Sequence, residues 1–143
     1  MPVFPCRVLS INIDRPPAVV YAFAGNPANL SQWAAGVGNH LTQEGDQWFV
    51  HTATGQARIE FAPDNAWGVM DHTLTFTDGS IVQVPMRVAP NGTGSVVTLT
   101  LYRLPGVKEQ VFEQDADLVI NDLKTLKSLL EAQTPPQPDH PGT

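Results

Sequence analysis

The sequence predicts a single α+β domain in which one long C-terminal helix covers one face of a curved antiparallel sheet. Three observations point there. Between His40 and Arg103, short apolar-alternating stretches are punctuated by turn pairs: Gly45-Asp46, Thr54-Gly55, Asp78-Gly79 and Asn91-Gly92. After Pro105-Gly106, the stretch from Lys108 to Ala132 repeats its apolar residues at helical spacing. The 143 residues are 42% hydrophobic, enough for one core and too many for a disordered chain.

Taken in order, Arg7 to Ile13 alternates, with Leu9, Ile11 and Ile13 on one side and Ser10 and Asn12 on the other, as a half-buried strand does. Asp14 before Arg15-Pro16-Pro17 reads as a cap-and-proline start for a short helix through Val20, Tyr21 and Phe23, which Gly25 ends. Asn26-Pro27 opens a second short helix over Ala28 to Trp33, closed by Gly36 and Gly38. Five or six antiparallel strands and the long helix follow. Thr134 to Thr143 carries four prolines in ten residues and reads as a disordered tail, so the domain is expected at 1–133 and the tail at 134–143.

Turn geometry sets register, and register decides which polar groups face inward. A two-residue Asn91-Gly92 turn puts Met86 opposite Val97, Val84 opposite Leu99 and Val82 opposite Leu101, all apolar. A Thr54-Gly55 turn pairs Val50 with Ile59 and Trp48 with Phe61. At Asp78-Gly79 a strict two-residue loop would set Val82, Val84 and Met86 on the face of Asp71, Thr73 and Thr75. One bulge residue instead joins them to Met70, His72, Leu74 and Phe76, and burial of that apolar row favours the bulge. Asp71 and Arg87 then stand outside as a cross-strand ion pair.

On the long helix, Val111, Phe112, Leu118, Val119, Leu123, Leu126, Leu129 and Leu130 form one apolar stripe. Asp115 and Asp122 flank it, roughly 40–60° from its centre. Glu113, Asp117, Lys124 and Glu131 take the solvent side. The sheet thus offers His72, with Arg103 at a strand end, towards a helix offering two carboxylates. Burying unpaired charge costs several kcal/mol. Either these groups pair, or the space between sheet and helix admits water or a ligand.

Composition excludes other classes. Eight Lys+Arg against fourteen Asp+Glu give a formal charge of −6, the wrong sign for binding nucleic acid or anionic membranes. One cysteine, Cys6, forms no intrachain disulfide and no multi-thiolate zinc site. The first residues, MPVFPCRVLS, hold no signal peptide or membrane span, so a cytoplasmic location is expected. His40, His51 and His72 lack metal-ligand spacing. There is no phosphate-cradling glycine loop, G-x-S-x-G or Cys-His arrangement, and neither metal nor cofactor is expected.

INIDRPPAVVYAFAGNPANLSQW near the start and VFEQDADLVINDLKTLKSLLE near the end resemble the SRPBCC (START-like, helix-grip) superfamily. Between them, GVMDHTLTF and VPMRVAPNGTGSVVTLTLYRLPG look like its polyketide cyclase/dehydrase-like branch. The resemblance covers the chain to about Ala132. It implies a sheet of about seven strands gripping the C-terminal helix around a deep hydrophobic cavity. Members of that superfamily carry lipids, hormones and polyketides, and some catalyse cyclisation or dehydration. It has no universal catalytic motif, so only the cavity carries over.

Placing that cavity by the strand and helix faces gives a candidate lining of Trp33, Trp48, Phe61, Trp67, Met70, His72, Met86, Leu99, Arg103, Phe112, Asp115, Val119 and Asp122. His72 is either an acid/base or hydrogen-bonding group of the cavity, or a core histidine bonded to Asp115, Asp122 or backbone. Arg103 either meets a ligand carboxylate at the cavity mouth or forms a salt bridge. Trp67, after Pro63-Asp64-Asn65, either gates the cavity or anchors its loop; the mouth is expected near it or near Pro105-Gly106. Phe49, His51 and Tyr102 fall on the outer face, a surface for a homodimer or merely scattered apolar groups. The leading reading is a binding module for a small hydrophobic molecule. Its rivals are a cyclase or dehydratase using His72 with an aspartate, and a protein-interaction module like the chaperone-ATPase activators.

Overall fold

The computed structural model describes residues 3–35, 41–52 and 55–133. Expectations on Gly36, Gly38, His40, Thr54 and the segment 134–143 lie outside the described residues. Strand β1 (Cys6–Ile13) buries Leu9 and Ile13, as its alternation requires. Helix α1 (Pro17–Ala24) ends at Gly25, but Asp14 does not cap it. Pro16 occupies that position with extended backbone, and the Asp14 N–H instead donates to the Glu131 carboxylate at 2.8 Å. A 3-10 turn (Pro27–Asn29), on which the Asn26 side chain accepts the Ala28 N–H at 3.0 Å, leads into α2 (Leu30–Trp33).

Seven strands follow, rather than five or six: β2 (Leu41–Glu44), β3 (Gln47–Thr52), β4 (Gly55–Phe61), β5 (His72–Phe76), β6 (Ile81–Val84), β7 (Met86–Asn91) and β8 (Gly94–Tyr102). The excess has one main cause. Pro85, which has no N–H to give a ladder, splits one long stretch into β6 and β7. Strands β2 to β6 form a five-stranded antiparallel sheet in chain order, and β1-β8-β7 form a three-stranded one. The two meet at Pro85, whose carbonyl accepts the Thr100 N–H at 2.9 Å.

Two hairpins pair two residues away from the sequence expectation. Met86 opposes Leu99 and Val88 opposes Val97, because Asn91 is itself paired with Gly94 and the loop is Gly92-Thr93. Positive φ at the first central residue alone, Gly92 at 60°, is the type II′ pattern. Likewise Trp48 opposes Ile59 and Val50 opposes Ala57, with Thr52 and Gly55 closing the pair. Val82 and Val84 pair with Leu74 and His72 of β5. A slip of two keeps every side chain on its face. The third hairpin takes the bulged form: His72 opposes Val84 and Leu74 opposes Val82, around a three-residue loop with Gly79 at φ 88°.

Helix α3 (Glu109–Ala132) runs alongside β1. Arg7 meets Glu113 at 2.8 Å, Lys127 Nζ donates to the Asn12 carbonyl at 2.7 Å, and Glu131 takes the Asp14 N–H. This position narrows the expected apolar stripe. Phe112, Ala116, Leu123, Leu126 and Leu130 are buried, and Val119, Ile120 and Leu129 half-buried. Val111 and Leu118 are exposed instead, at 43% and 58%. A helix lying along one strand presents only a narrow face to the sheet.

Candidate functional site

Transverse rows of side chains cross the inner face of the sheet. In one, Leu9, Leu99 and Met86 stand in register, and Met70 adjoins them through its N–H on the Met86 carbonyl at 2.8 Å. All four are buried. The adjacent row, two residues along each strand, is Arg7, Leu101, Val84, His72 and Phe61. Its pairs Arg7–Leu101, Val84–His72 and His72–Phe61 are direct, and the β7–β8 register continued past Pro85 sets Val84 beside Leu101. Here Arg7, Leu101, Val84 and Phe61 are only partly buried. The core therefore opens within one residue pair, a step of about 7 Å along the strands.

At that step lies a cleft of about 480 Å³, lined by Ala35, Leu101, Asp115, Leu118, Val119 and Asp122. Strand β8 supplies its floor, α3 one wall and the end of α2 its rim. The Ala35 N–H donates to Asp122 Oδ1 at 3.0 Å. Burial pushes the Asp122 carboxyl above its ordinary value, and this N–H only partly offsets the effect.

His72 is the one buried histidine among the described residues. Its ring stacks on Phe61 with centroids 4.7 Å apart. Its Nδ1 lies 3.1 Å from the Met70 carbonyl, which can only accept, so Nδ1 carries the proton and Nε2 a free lone pair. Burial pushes the imidazole below the ordinary histidine value, against the Met70 carbonyl and the Asp71 charge. Neither Asp115 nor Asp122 bonds to it. An aspartate therefore does not hold its tautomer, as the enzymatic reading supposed; the backbone does.

Of the other expected lining residues, Trp33, Met70, Met86, Leu99 and Phe112 are buried, whereas Asp115, Val119 and Asp122 meet at the cleft. Trp48 and Phe61 border a hollow of about 310 Å³ beside Pro27. Trp67 is not at the cleft. It is 82% exposed, on a separate groove with Tyr21 and Val88, where the Asn65 side chain accepts the Trp67 and Val69 N–H groups, each at 3.0 Å. Arg103 meets neither carboxylate nor cleft: its Nε donates to the Val107 carbonyl at 2.8 Å, bracing the turn before α3. This cleft opens beside Ala35 and Leu101, and neither Trp67 nor Pro105-Gly106 lines it.

Asp71 and Arg87 pair outside, with Arg87 Nη2 3.1 Å from Oδ2, while Oδ1 accepts the Met86 N–H at 2.9 Å. Burial raises the Asp71 carboxyl, but Arg87, the Met86 N–H and the His72 charge together hold it below its ordinary value. Among lining residues that sequence reasoning missed, Leu101 carried the signal of its apolar alternation. Ala35 and Leu118 carried none, since an alanine after a short helix and a leucine at a stripe's edge are both ordinary.

No family model matches the chain, and no curated protein sequence does. Solved structures do match. The protein XoxI from Bacillus cereus aligns at TM-score 0.67 and 15% identity, over 89% of this chain and 96% of that one. DynU16, of the dynemicin biosynthetic locus, aligns at 0.67 and 18%, over 91% of this chain and 48% of its own. The Aha1 dimer from Colwellia psychrerythraea aligns at 0.65 and 12%, over 90% and 97%. At these identities the likeness is one of fold, and the fold is helix-grip: an antiparallel sheet around a long C-terminal helix, with short helices between the first two strands. Among the described residues no helix is long and apolar enough to cross a membrane, and no group of three or more acidic, histidine or cysteine side chains gathers as a metal site would require.

Proposed function

We propose that this protein binds a small hydrophobic molecule in the cleft between the inner face of the sheet and helix α3. One observation carries the reading: Leu101, Val84 and Phe61 are apolar and inward-facing, yet only partly buried, and Leu101 borders a cleft walled by Val119 and Leu118. Apolar surface left facing such a cleft gains about 25 cal/mol per Å² when a ligand covers it. The helix makes its close backbone contacts with β1 and α2, so the floor beyond β8 stays available.

Native mass spectrometry of freshly purified protein, paired with a Nile red titration, tests this. Expected are one-to-one Nile red binding and at least tenfold weaker binding in Val119→Trp, whose indole fills the cleft, with an unchanged circular dichroism spectrum. An apo mass together with no Nile red binding, or binding untouched by Val119→Trp, overturns the reading.

A further inference from the structure

We infer that the groove beside Trp67 docks a proline-rich segment in extended polyproline II form, and that its occupant is this chain's own segment 134–143, TPPQPDHPGT. The groove measures about 490 Å³. Pro17, Ala18 and Tyr21 of α1 line it, with the loop from Asn65 to Gly68 and with Val88 and Pro90 of β7. No lining side chain carries a charge. This groove shares no residue with the cleft beside α3.

The loop that presents Trp67 is fixed before anything binds. Besides accepting the Trp67 and Val69 N–H groups, the Asn65 side chain donates to the Pro63 and Val69 carbonyls, at 3.0 and 2.9 Å. The Gly68 carbonyl accepts the Val88 N–H at 3.0 Å and ties the loop to β7. An exposed indole held this way gives up little conformational freedom when a partner covers it. Grooves lined by aromatic rings suit polyproline II chains, whose backbone carbonyls stand open to donors. Tyr21 offers one such donor: its hydroxyl accepts the Asn65 N–H at 3.1 Å, and its own proton has no acceptor among the described residues. At its proline positions a docked segment brings acceptors and no N–H to satisfy.

The end of α3 selects the occupant. Arg15 Nη2 holds the Gln133 carbonyl at 2.8 Å, so the chain leaves the helix beside Arg15. Two residues on, Pro17 is already groove wall, a step of about 7 Å along the backbone. Ten residues of polyproline II chain span about 31 Å, ample for that distance and for the groove itself. Segment 134–143 carries Pro135, Pro136, Pro138 and Pro141. Tethered so close, it acts at an effective concentration on the order of millimolar, and contacts too weak for a free peptide suffice.

¹H–¹⁵N spectra of the full-length protein test this through the Trp67 indole N–H. The wild type is compared with a full-length triple variant, Pro135→Ser, Pro136→Ser and Pro138→Ser. The Trp67 indole and the Ala18 and Ala66 amides should differ between the two, while the amides of β2 to β4 coincide. Free peptide TPPQPDHPGT should return the variant's signals to their wild-type positions. It should bind wild type at least about tenfold more weakly, because the tethered segment already fills the groove. Trp67→Ala added to the triple variant should likewise weaken the peptide at least about tenfold. Identical signals at Trp67, Ala18 and Ala66 in wild type and variant overturn the inference. So does equal peptide binding by both, which would mean an empty groove open to proline-rich chains from elsewhere. Peptide binding that survives Trp67→Ala, or a serine-substituted peptide that binds as tightly, also overturns it. A wild-type signal that moves to the variant position on dilution would assign the docked segment to a second copy and overturn it too.

Discussion

The backbone N–H of Ala35 donates to Oδ1 of Asp122 at 3.0 Å, so a carboxylate midway along α3 fastens the chain just after α2. Satisfying that donor is useful, since the end of a short helix leaves backbone groups unpaired. The charge is less so. Burial outweighs the hydrogen bond and lifts the Asp122 carboxyl above its ordinary value. Asp122 therefore fixes the rim of the cleft while its ionised form strains the fold.

Asp122→Asn keeps the accepting oxygen and removes the charge. Because the folded value is raised, the native state holds this proton over a pH window where the unfolded chain has lost it. Stability from this group therefore falls as pH rises through that window. At pH 7 the asparagine variant should melt higher, by up to about 2 °C given the partial exposure of the side chain. The gap should close as pH falls towards 4. Thermal melts across that range check it, and a lower midpoint at pH 7 would show that the fold uses the charge.

His72 titrates with the opposite slope. Its folded value lies below 6.5, so its contribution is whole above pH 6.5 and is lost as pH falls towards the folded value, where the unfolded chain takes up the proton first. Denaturant midpoints should decline from pH 7 to pH 5, and the decline should be shallower in His72→Phe. Equal slopes in the two proteins would argue that the imidazole is not held neutral.

Gly68 and Gly79 make a contrast that separates crowding from backbone strain. Both have positive φ, at 72° and 88°. A Cβ on Gly68 would stand 2.3 Å from the Val88 carbonyl oxygen, whereas one on Gly79 would meet nothing within 4 Å. Gly79→Ala should cost about 1 kcal/mol, the strain of the left-handed region alone. Gly68→Ala should cost at least about 3 kcal/mol, since strand β7 must move as well. Urea unfolding of the two variants gives both numbers, and similar losses would mean that the loop yields easily.

Arg15 closes the end of α3. Its Nη2 donates to the carbonyls of Glu131 and Gln133, at 2.6 and 2.8 Å, which the helix itself leaves without partners. Arg15→Ala should cost about 1–2 kcal/mol. Amide exchange should quicken in the last turn of α3 while the turn near Phe112 stays protected. Uniform quickening along the helix would instead place Arg15 in the global stability of the fold.

Asp71 and Arg87 divide a surface ion pair into unequal halves. Arg87→Ala removes an exposed, solvent-screened partner and should change stability little. Asp71→Ala also strips the acceptor from the partly buried Met86 N–H, and should cost about 1–2 kcal/mol more. Chemical denaturation of both variants and the double variant measures the difference; equal single losses would show that the backbone bond contributes nothing.

The elements and faces were legible because they depend on local periodicity. Alternation in Arg7–Ile13, the glycine-bearing turns and the apolar spacing of α3 each involve residues near in sequence. The inward aim of His72 was also legible, since burial of Met70, Leu74 and Phe76 forces the bulged register on the hairpin at Gly79. Even the two mispaired hairpins kept their faces, because a slip of two leaves parity intact.

What the sequence could not convey is which faces meet. Asp115 and Asp122 were expected near His72, yet they stand on the wall of α3 that faces Leu101 and Ala35. Trp67 read as a gate and stands outside, and Leu118 read as core and is exposed. These outcomes turn on one placement: α3 lies along β1, held by Arg7–Glu113 at one end and by Asn12, Asp14 and Arg15 at the other. By itself the sequence determined an α+β chain with an apolar inner sheet face and a histidine on it. Only the tertiary structure decided that the helix covers one edge of that face and leaves a cleft beside it. Helix placement is settled by contacts more than a hundred residues apart, and no local pattern encodes them.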